Sequence, residues 1–140
     1  MNTGLIALEV VARINRIDVD IRAVTRQFGI HDEVTPEELV RIAKHFGFRA
    51  RIKNIPAAKV AGDYPLPAIV VEKSGAYRVL LKANDGASRL LLFDPEARKT
   101  TEAGADDVAA ATAAVILLSH RKVSSQTVFG FRWFFAEMSR

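Results

Sequence analysis

The sequence contains no cysteine among its 140 residues. This absence excludes disulfides, zinc-thiolate sites, iron-sulfur ligation and a cysteine nucleophile on this chain. Only three histidines are present, and none stands at a metal-ligating spacing from a second histidine or an acid. The scattered glycines form no phosphate-binding loop, and no Gly-x-Ser-x-Gly motif occurs. We therefore expect no metal, nucleotide or other cofactor in this domain.

Long apolar runs are also missing. The longest, Ala113–Leu118, is far shorter than the roughly 20 residues that cross a bilayer. The first residues, Met1 to Leu8, lack the charged and apolar regions of a secretory signal. No membrane span is expected within these residues.

The charge of the chain is only mildly biased, with 20 Lys and Arg against 16 Asp and Glu and a net charge of +4. The cations alternate with acids along most of the sequence, and the clearest cluster is Arg49, Arg51 and Lys53. Nucleic-acid binding is one interpretation of this cluster. A solvated strand face is the preferred one, because no aromatic residues alternate with the cations. We expect no nucleic-acid partner.

The length and the 49% hydrophobic content predict one globular domain. The pattern of apolar residues in the first third of the chain predicts three helices. Apolar residues from Leu5 to Ile14 recur at helical spacing, and a second helical pattern runs from about Asp20 to Phe28. Thr35 and Glu38 form a capping box for a third helix, which ends before Gly47.

After the third helix apolar residues recur at every second position, as they do in strands, beginning with the run Phe48 to Lys53. The segment from Ile55 to Pro67 is predicted to be a loop with at most one helical turn. An antiparallel meander is predicted next, followed by a short helix and a last strand, over the runs Leu66–Glu72, Tyr77–Ala83, Ser88–Asp94, Asp106–Ala111 and Ala114–Ser119. This order predicts an α+β fold whose helical half packs on one face of the sheet.

The end of the chain is different in composition. Five of the nine Phe and Trp residues fall within the seven positions from Phe129 to Phe135. This cluster either closes the core as a terminal element or lies at a membrane surface and leads into a following domain.

Several short motifs occur in a specific order. Thr3-Gly4 opens the first helix, Leu66-Pro67-Ala68-Ile69 enters a strand, Tyr77 begins the next strand, and Phe93-Asp94-Pro95 ends the third. Together they resemble the papain-like, bacteriocin-processing cysteine peptidase domain at the N-terminus of ABC exporters. The resemblance spans roughly residues 3 to 119 and implies a papain-like fold for a domain over 1–119. Residues 120–140 would be a linker toward a transmembrane domain.

The resemblance assigns the catalytic Cys, His and Asp positions to Thr3, Tyr77 and Asp94. At neutral pH a threonine hydroxyl is a poor nucleophile, and a phenol is a poor base for activating it. We therefore expect a degenerate triad and no enzyme activity, with these three residues left as substrate-binding positions. Each also has a plainer interpretation: Thr3 as a helix cap, Tyr77 as a cross-strand aromatic and Asp94 as a turn residue.

A degenerate relative of this kind is similar to the peptidase-like domain of haemolysin-type exporters in type I secretion. The resemblance implies a non-catalytic docking domain that binds an unfolded, acidic, calcium-binding repeat protein before its export. It also implies ATP and magnesium in the parent exporter, a membrane fusion protein and an outer-membrane channel as partners, and the cytoplasmic face of the bacterial inner membrane. The alternative is a residual peptidase that uses Thr3 to remove a double-glycine leader.

Overall fold

The computed structural model describes residues 2–120 as five helices and one six-stranded sheet. The predicted linker and the aromatic cluster lie outside these residues, apart from His120 at the end of the last strand. No helix in the described part of the chain is long and apolar enough to cross a membrane. The helices are α1 (Thr3–Ile14), α2 (Ile21–Phe28), α3 (Pro36–His45), α4 (Ala57–Asp63) and α5 (Ala105–Ala111); the strands are β1 (Phe48–Lys53), β2 (Ala68–Glu72), β3 (Tyr77–Asn84), β4 (Arg89–Asp94), β5 (Lys99–Gly104) and β6 (Thr112–His120).

α2 and α3 begin and end at the positions that the sequence predicts. The interpretation of Thr3 as a helix cap is wrong, because Thr3 is the first residue of α1, Asn2 caps the helix, and the Thr3 hydroxyl donates to Glu33. The Asp20 side chain accepts hydrogen bonds from the start of α2, and Gly29 ends that helix in the left-handed conformation at φ 64°. Thr35 and Glu38 form the expected capping box at the start of α3. Local capping therefore determines where α2 and α3 start.

The sheet is antiparallel, with the strand order β1-β6-β2-β3-β4-β5. The predicted meander forms β2, β3 and β4. The last strand, β6, lies between β1 and β2 and pairs with both. β5 was not predicted, because this exposed edge strand lacks the apolar alternation that marks a half-buried strand.

Helices cover both faces of the sheet. α1, α2 and α3 pack on one face, where Ile69 and Val71 of β2 are buried. The alternate residues Ala68 and Val70 face a second apolar cluster that contains residues of α4 and α5. The prediction of N-terminal helices on an antiparallel sheet is confirmed. The segment after β1 contains a longer helix than expected, because burial of its apolar residues stabilises α4.

Candidate active site at the start of α1

Thr3 is the first residue of α1, and its polar groups contact the loop before α3. The Thr3 hydroxyl donates a hydrogen bond to Glu33 Oε1 at 3.1 Å. The backbone N–H groups of Thr3 and Gly4 donate to the same carboxylate at 3.2 Å and 2.8 Å. A helix N-terminus exposes unpaired N–H groups and favours a negative charge. The Glu33 carboxylate therefore occupies the position at which α1 would attract an anion.

Asn2 joins the same loop to the helix. Its side-chain amide donates to the carbonyl of Asp32 at 2.9 Å, and its side-chain oxygen accepts from the N–H of Val34 at 3.3 Å. The same oxygen accepts from Leu5 N–H at 3.4 Å as the cap of α1. Asn2 thereby holds the loop against the start of α1.

Tyr77 lies beneath the loop, with only 2% of its surface exposed. Its hydroxyl donates a hydrogen bond of 2.6 Å to the carbonyl of Val34. Burial raises the pKa of the Tyr77 hydroxyl well above its ordinary value, and the nearby Glu33 carboxylate raises it further. Tyr77 is therefore a neutral hydrogen-bond donor at physiological pH.

Gly4 allows the ring of Tyr77 to approach α1. A Cβ atom at Gly4 would lie 3.0 Å from Tyr77 Cε2 and would also clash with Val34 Cγ1. The fold therefore brings Thr3-Gly4 and Tyr77 together, and both contact the loop at Glu33 and Val34.

Asp94 belongs to a turn of its own. Its Oδ1 atom accepts hydrogen bonds from the N–H groups of Glu96 at 3.0 Å and Ala97 at 3.4 Å. Its carbonyl accepts from Arg98 N–H at 2.7 Å. Within residues 2–120 no hydrogen bond joins the Asp94 side chain to Tyr77 or Thr3. The described contacts of Asp94 are those of the turn between β4 and β5.

Sequence reasoning missed Glu33 and Val34. Thr3 and Glu33 are 30 residues apart, and no local periodicity or capping signal relates them. The only signal for Glu33 was its position in a short polar loop between two predicted helices. Among the side chains that the structure describes, no group of three or more His, Cys, Asp or Glu could hold a metal ion.

Comparison with known proteins decides the family. A model of the peptidase C39 family matches residues 1–124. The chain belongs to the peptidase C39 family. The resemblance inferred from Thr3-Gly4, Tyr77 and Asp94-Pro95 is thereby confirmed at the level of the family, and so is the papain-like fold.

Among its relatives, the cyclolysin secretion/processing ATP-binding protein CyaB of Bordetella pertussis is 26% identical over 136 residues. These residues cover 95% of this chain and 19% of the relative, so the chain spans about a fifth of the length of CyaB. The C39 domain is accordingly homologous to one domain of an ABC exporter involved in secretion.

Two solved structures share its fold. The N-terminal peptidase C39-like domain of a toxin secretion ATP-binding protein from Vibrio parahaemolyticus is 22% identical, with a TM-score of 0.75 over 86% of this chain and 98% of that one. The peptidase domain of Streptococcus ComA, a bifunctional ABC transporter, is 21% identical, with a TM-score of 0.73 over 86% and 92%.

A third structure is a double-glycine motif protease from a transporter, solved in complex with a leader peptide. It is 15% identical, with a TM-score of 0.72 over 84% of this chain and 83% of that one.

The prediction that this domain is not an enzyme is wrong, because the family and its solved members are peptidases. That prediction treated the changes at Thr3 and Tyr77 as sufficient, and it assumed that Thr3 has no base. The structure places a carboxylate oxygen of Glu33 3.1 Å from the Thr3 hydroxyl. Since the chain has no cysteine, hydrolysis by it would require a different nucleophile.

Proposed function

We propose that this chain is the C39 domain of an ABC exporter and that it binds an extended segment of the protein to be exported. The family match over residues 1–124 carries this proposal. It is supported by the relative named for secretion and by the fold shared with a protease bound to a leader peptide. The net charge of +4 favours an acidic cargo, such as calcium-binding repeats in their unfolded, calcium-free state.

In this proposal the parent exporter binds ATP with magnesium at the cytoplasmic face of the inner membrane. A membrane fusion protein and an outer-membrane channel complete the export path. Thr3 and Asp94 are partly exposed and available to a bound segment, whereas Tyr77 is buried. Tyr77 would then act indirectly, by holding Val34 and the loop over α1.

The direct test is a nitrogen-15 chemical-shift titration of the chain with an unfolded acidic repeat segment, with and without calcium. Saturable shifts that disappear when calcium folds the repeat are the expected result. Absence of shifts in both states would contradict a role in binding this cargo. Shifts at Thr3 and Asp94 would locate the bound segment at the predicted positions.

Removal of a double-glycine leader is the second candidate function, and the contact between Thr3 and Glu33 favours it. In that reaction Glu33 would accept the hydroxyl proton while Thr3 Oγ1 attacks the scissile carbonyl carbon. The C–N bond would then break as Glu33 returns the proton to the leaving amine, and a water molecule would hydrolyse the Thr3 ester, which releases the leader and restores the hydroxyl. The backbone N–H groups of Thr3 and Gly4 are suited to stabilise the oxyanion of the tetrahedral intermediate, but both donate hydrogen bonds to the Glu33 carboxylate. The carboxylate would therefore have to release these donors during the reaction.

Mass spectrometry of a leader peptide incubated with the chain tests this second function. A single product after the double glycine, lost in both Thr3→Ala and Glu33→Gln, is the expected signature of Thr3 catalysis. The matched control is Thr112→Ala, since Thr112 begins β6 and its hydroxyl donates to the carbonyl of Val108. An uncleaved leader would contradict the peptidase function. It would not bear on cargo binding, which the titration tests separately.

A further inference from the structure

β1 is an edge strand of the sheet. β6 pairs with it along Phe48 to Lys53, and no described strand pairs with its other edge. Alternate residues of an edge strand direct their N–H and C=O groups away from the sheet. An extended polypeptide can pair with such an edge as an additional strand.

The cations of β1 lie on one face of this edge. Arg49, Arg51 and Lys53 alternate along the strand and share a face of the sheet. Arg49 and Arg51 are exposed, and within residues 2–120 neither side chain forms an ion pair or a hydrogen bond. By contrast, Arg78 pairs with Glu72 at 2.9 Å.

A cavity of about 310 Å³ opens beside these guanidinium groups. Its lining includes the segment Tyr64-Pro65 after α4 and the β6 residues that face the two arginines, Leu117 and Ser119. Neither β6 residue carries a charge. The cavity therefore gives an incoming side chain a partly apolar surface next to two cations.

The opposite face of β1 is apolar. Phe48 and Ala50 are buried in the core, and Ile52 is 37% exposed at the end of the strand. A strand added at this edge would therefore have cations beside one of its faces and an exposed isoleucine beside the other. Directly opposed side chains on paired strands interact across about 5 Å.

We propose that the β1 edge binds an extended acidic polypeptide segment as an added strand. Carboxylates at alternate positions of that segment pair with Arg49 and Arg51, and the apolar residues between them lie on the side of Ile52. This inference rests on the proposed function, since the exported protein is the segment's source. It adds the binding surface and the sequence pattern that this surface selects.

The geometry favours a polypeptide over a nucleic acid. Backbone hydrogen bonds at an open strand edge match another polypeptide backbone, with the residue spacing of a strand. Binding sites for single-stranded nucleic acids instead combine a basic groove with several aromatic side chains on which successive bases stack. Tyr64 is the one aromatic residue in the described lining of the cavity, and Arg49 to Lys53 contains none.

The test titrates the full chain with three short peptides and with a single-stranded DNA oligonucleotide. One peptide alternates Glu and Val, the second has the same composition in two blocks, and the third is the alternating peptide with every second amide N-methylated. We expect the alternating peptide to bind and shift the amides of β1. The other two should bind about tenfold more weakly, because charge spacing or backbone pairing is lost.

The variant Arg49→Gln/Arg51→Gln should weaken binding of the alternating peptide about tenfold, in line with two charge-assisted contacts. Its matched control is Arg22→Gln/Arg26→Gln, which removes the same charge from two exposed positions of α2. The control should bind like the parent chain, and circular dichroism should show both variants folded.

Equal binding of the three peptides, or no effect of the β1 variant, would overturn the added-strand proposal. Tighter binding of the oligonucleotide through Arg49 and Arg51 would overturn it in favour of a nucleic-acid surface. A cargo segment that binds the β1 variant as tightly as the parent chain would overturn this surface and leave the proposed function intact. Failure of every polypeptide to bind the parent chain would overturn both.

Discussion

Replacing Tyr77 by Phe removes one oxygen atom from the centre of the candidate site. The ring stays in place, so the apolar area buried by the side chain is nearly unchanged. The hydrogen bond of 2.6 Å from the Tyr77 hydroxyl to the carbonyl of Val34 is lost. Val34 is itself only 2% exposed, which makes replacement of this bond by water difficult.

The expected loss of stability follows from these two terms. A hydrogen bond contributes about 1 kcal/mol net, and a carbonyl left buried without a partner costs about 1–3 kcal/mol. We therefore expect Tyr77→Phe to lower the free energy of unfolding by about 2 kcal/mol.

Urea unfolding followed by far-UV circular dichroism measures this difference, with the slope of the transition expected to stay unchanged. Tyr64→Phe is the matched control, because within the described residues its hydroxyl has no hydrogen-bond partner. The control should stay within about 0.5 kcal/mol of the parent chain. If Tyr77→Phe also changed the free energy of unfolding by less than about 0.5 kcal/mol, the assigned hydrogen bond to Val34 would be refuted.

The pH dependence provides an independent check. Burial raises the folded-state pKa of the Tyr77 hydroxyl above the ordinary value of 10.0, so the unfolded chain loses this proton first as pH rises. The stabilising contribution is therefore complete below pH 10.0 and is lost as pH rises toward the folded-state pKa, by at most about 1.4 kcal/mol per pH unit. The stability difference between the parent chain and Tyr77→Phe should shrink above this pH. A constant difference would contradict the pKa shift.

Three further substitutions test the neighbouring contacts by urea unfolding. Gly4→Ala should lower the free energy of unfolding by about 1–3 kcal/mol through overpacking. Its control, Gly62→Ala, should be neutral or stabilising, because nothing lies within 4 Å of the new Cβ. Equal effects of the two variants would contradict the close packing at Gly4. Glu33→Ala should cost about 1 kcal/mol by leaving the N–H groups of α1 without the carboxylate, and an unchanged stability would argue against that contact. Hydrogen bonding with Thr35, mainly with its backbone and secondarily with its side chain, lowers the pKa of Glu38 below 4.5. The stability that this carboxylate contributes is therefore present above pH 4.5 and is lost as pH falls through the lowered pKa. Glu38→Gln should therefore lose less stability on acidification than the parent chain, and an identical acid profile would contradict the capping box.

Much of the fold could be predicted because its signals are local. Asp20 and Thr35 each hold the start of a helix through contacts within three residues. The alternation from Phe48 to Lys53 likewise marks a strand with one wet face. The family could be inferred because several short motifs keep their order along the chain. Capping and periodicity do not depend on the rest of the molecule, so the sequence alone determines them.

The rest depends on contacts between distant segments. β6 lies between β1 and β2 because its apolar residues are buried on both faces of the sheet, and no local pattern specifies this position. The open edge of β1 follows from the same arrangement.

The candidate site has the same origin. The sequence identified Thr3, Tyr77 and Asp94 by resemblance, whereas the tertiary structure placed Glu33 on the start of α1 and engaged Asp94 in its own turn. Sequence by itself determined the elements with clear caps or apolar periodicity, the resemblance to the family and the absence of a cysteine. Only the folded chain decided which groups meet, because hydrogen bonds between residues 30 or more positions apart leave no periodic trace in the sequence.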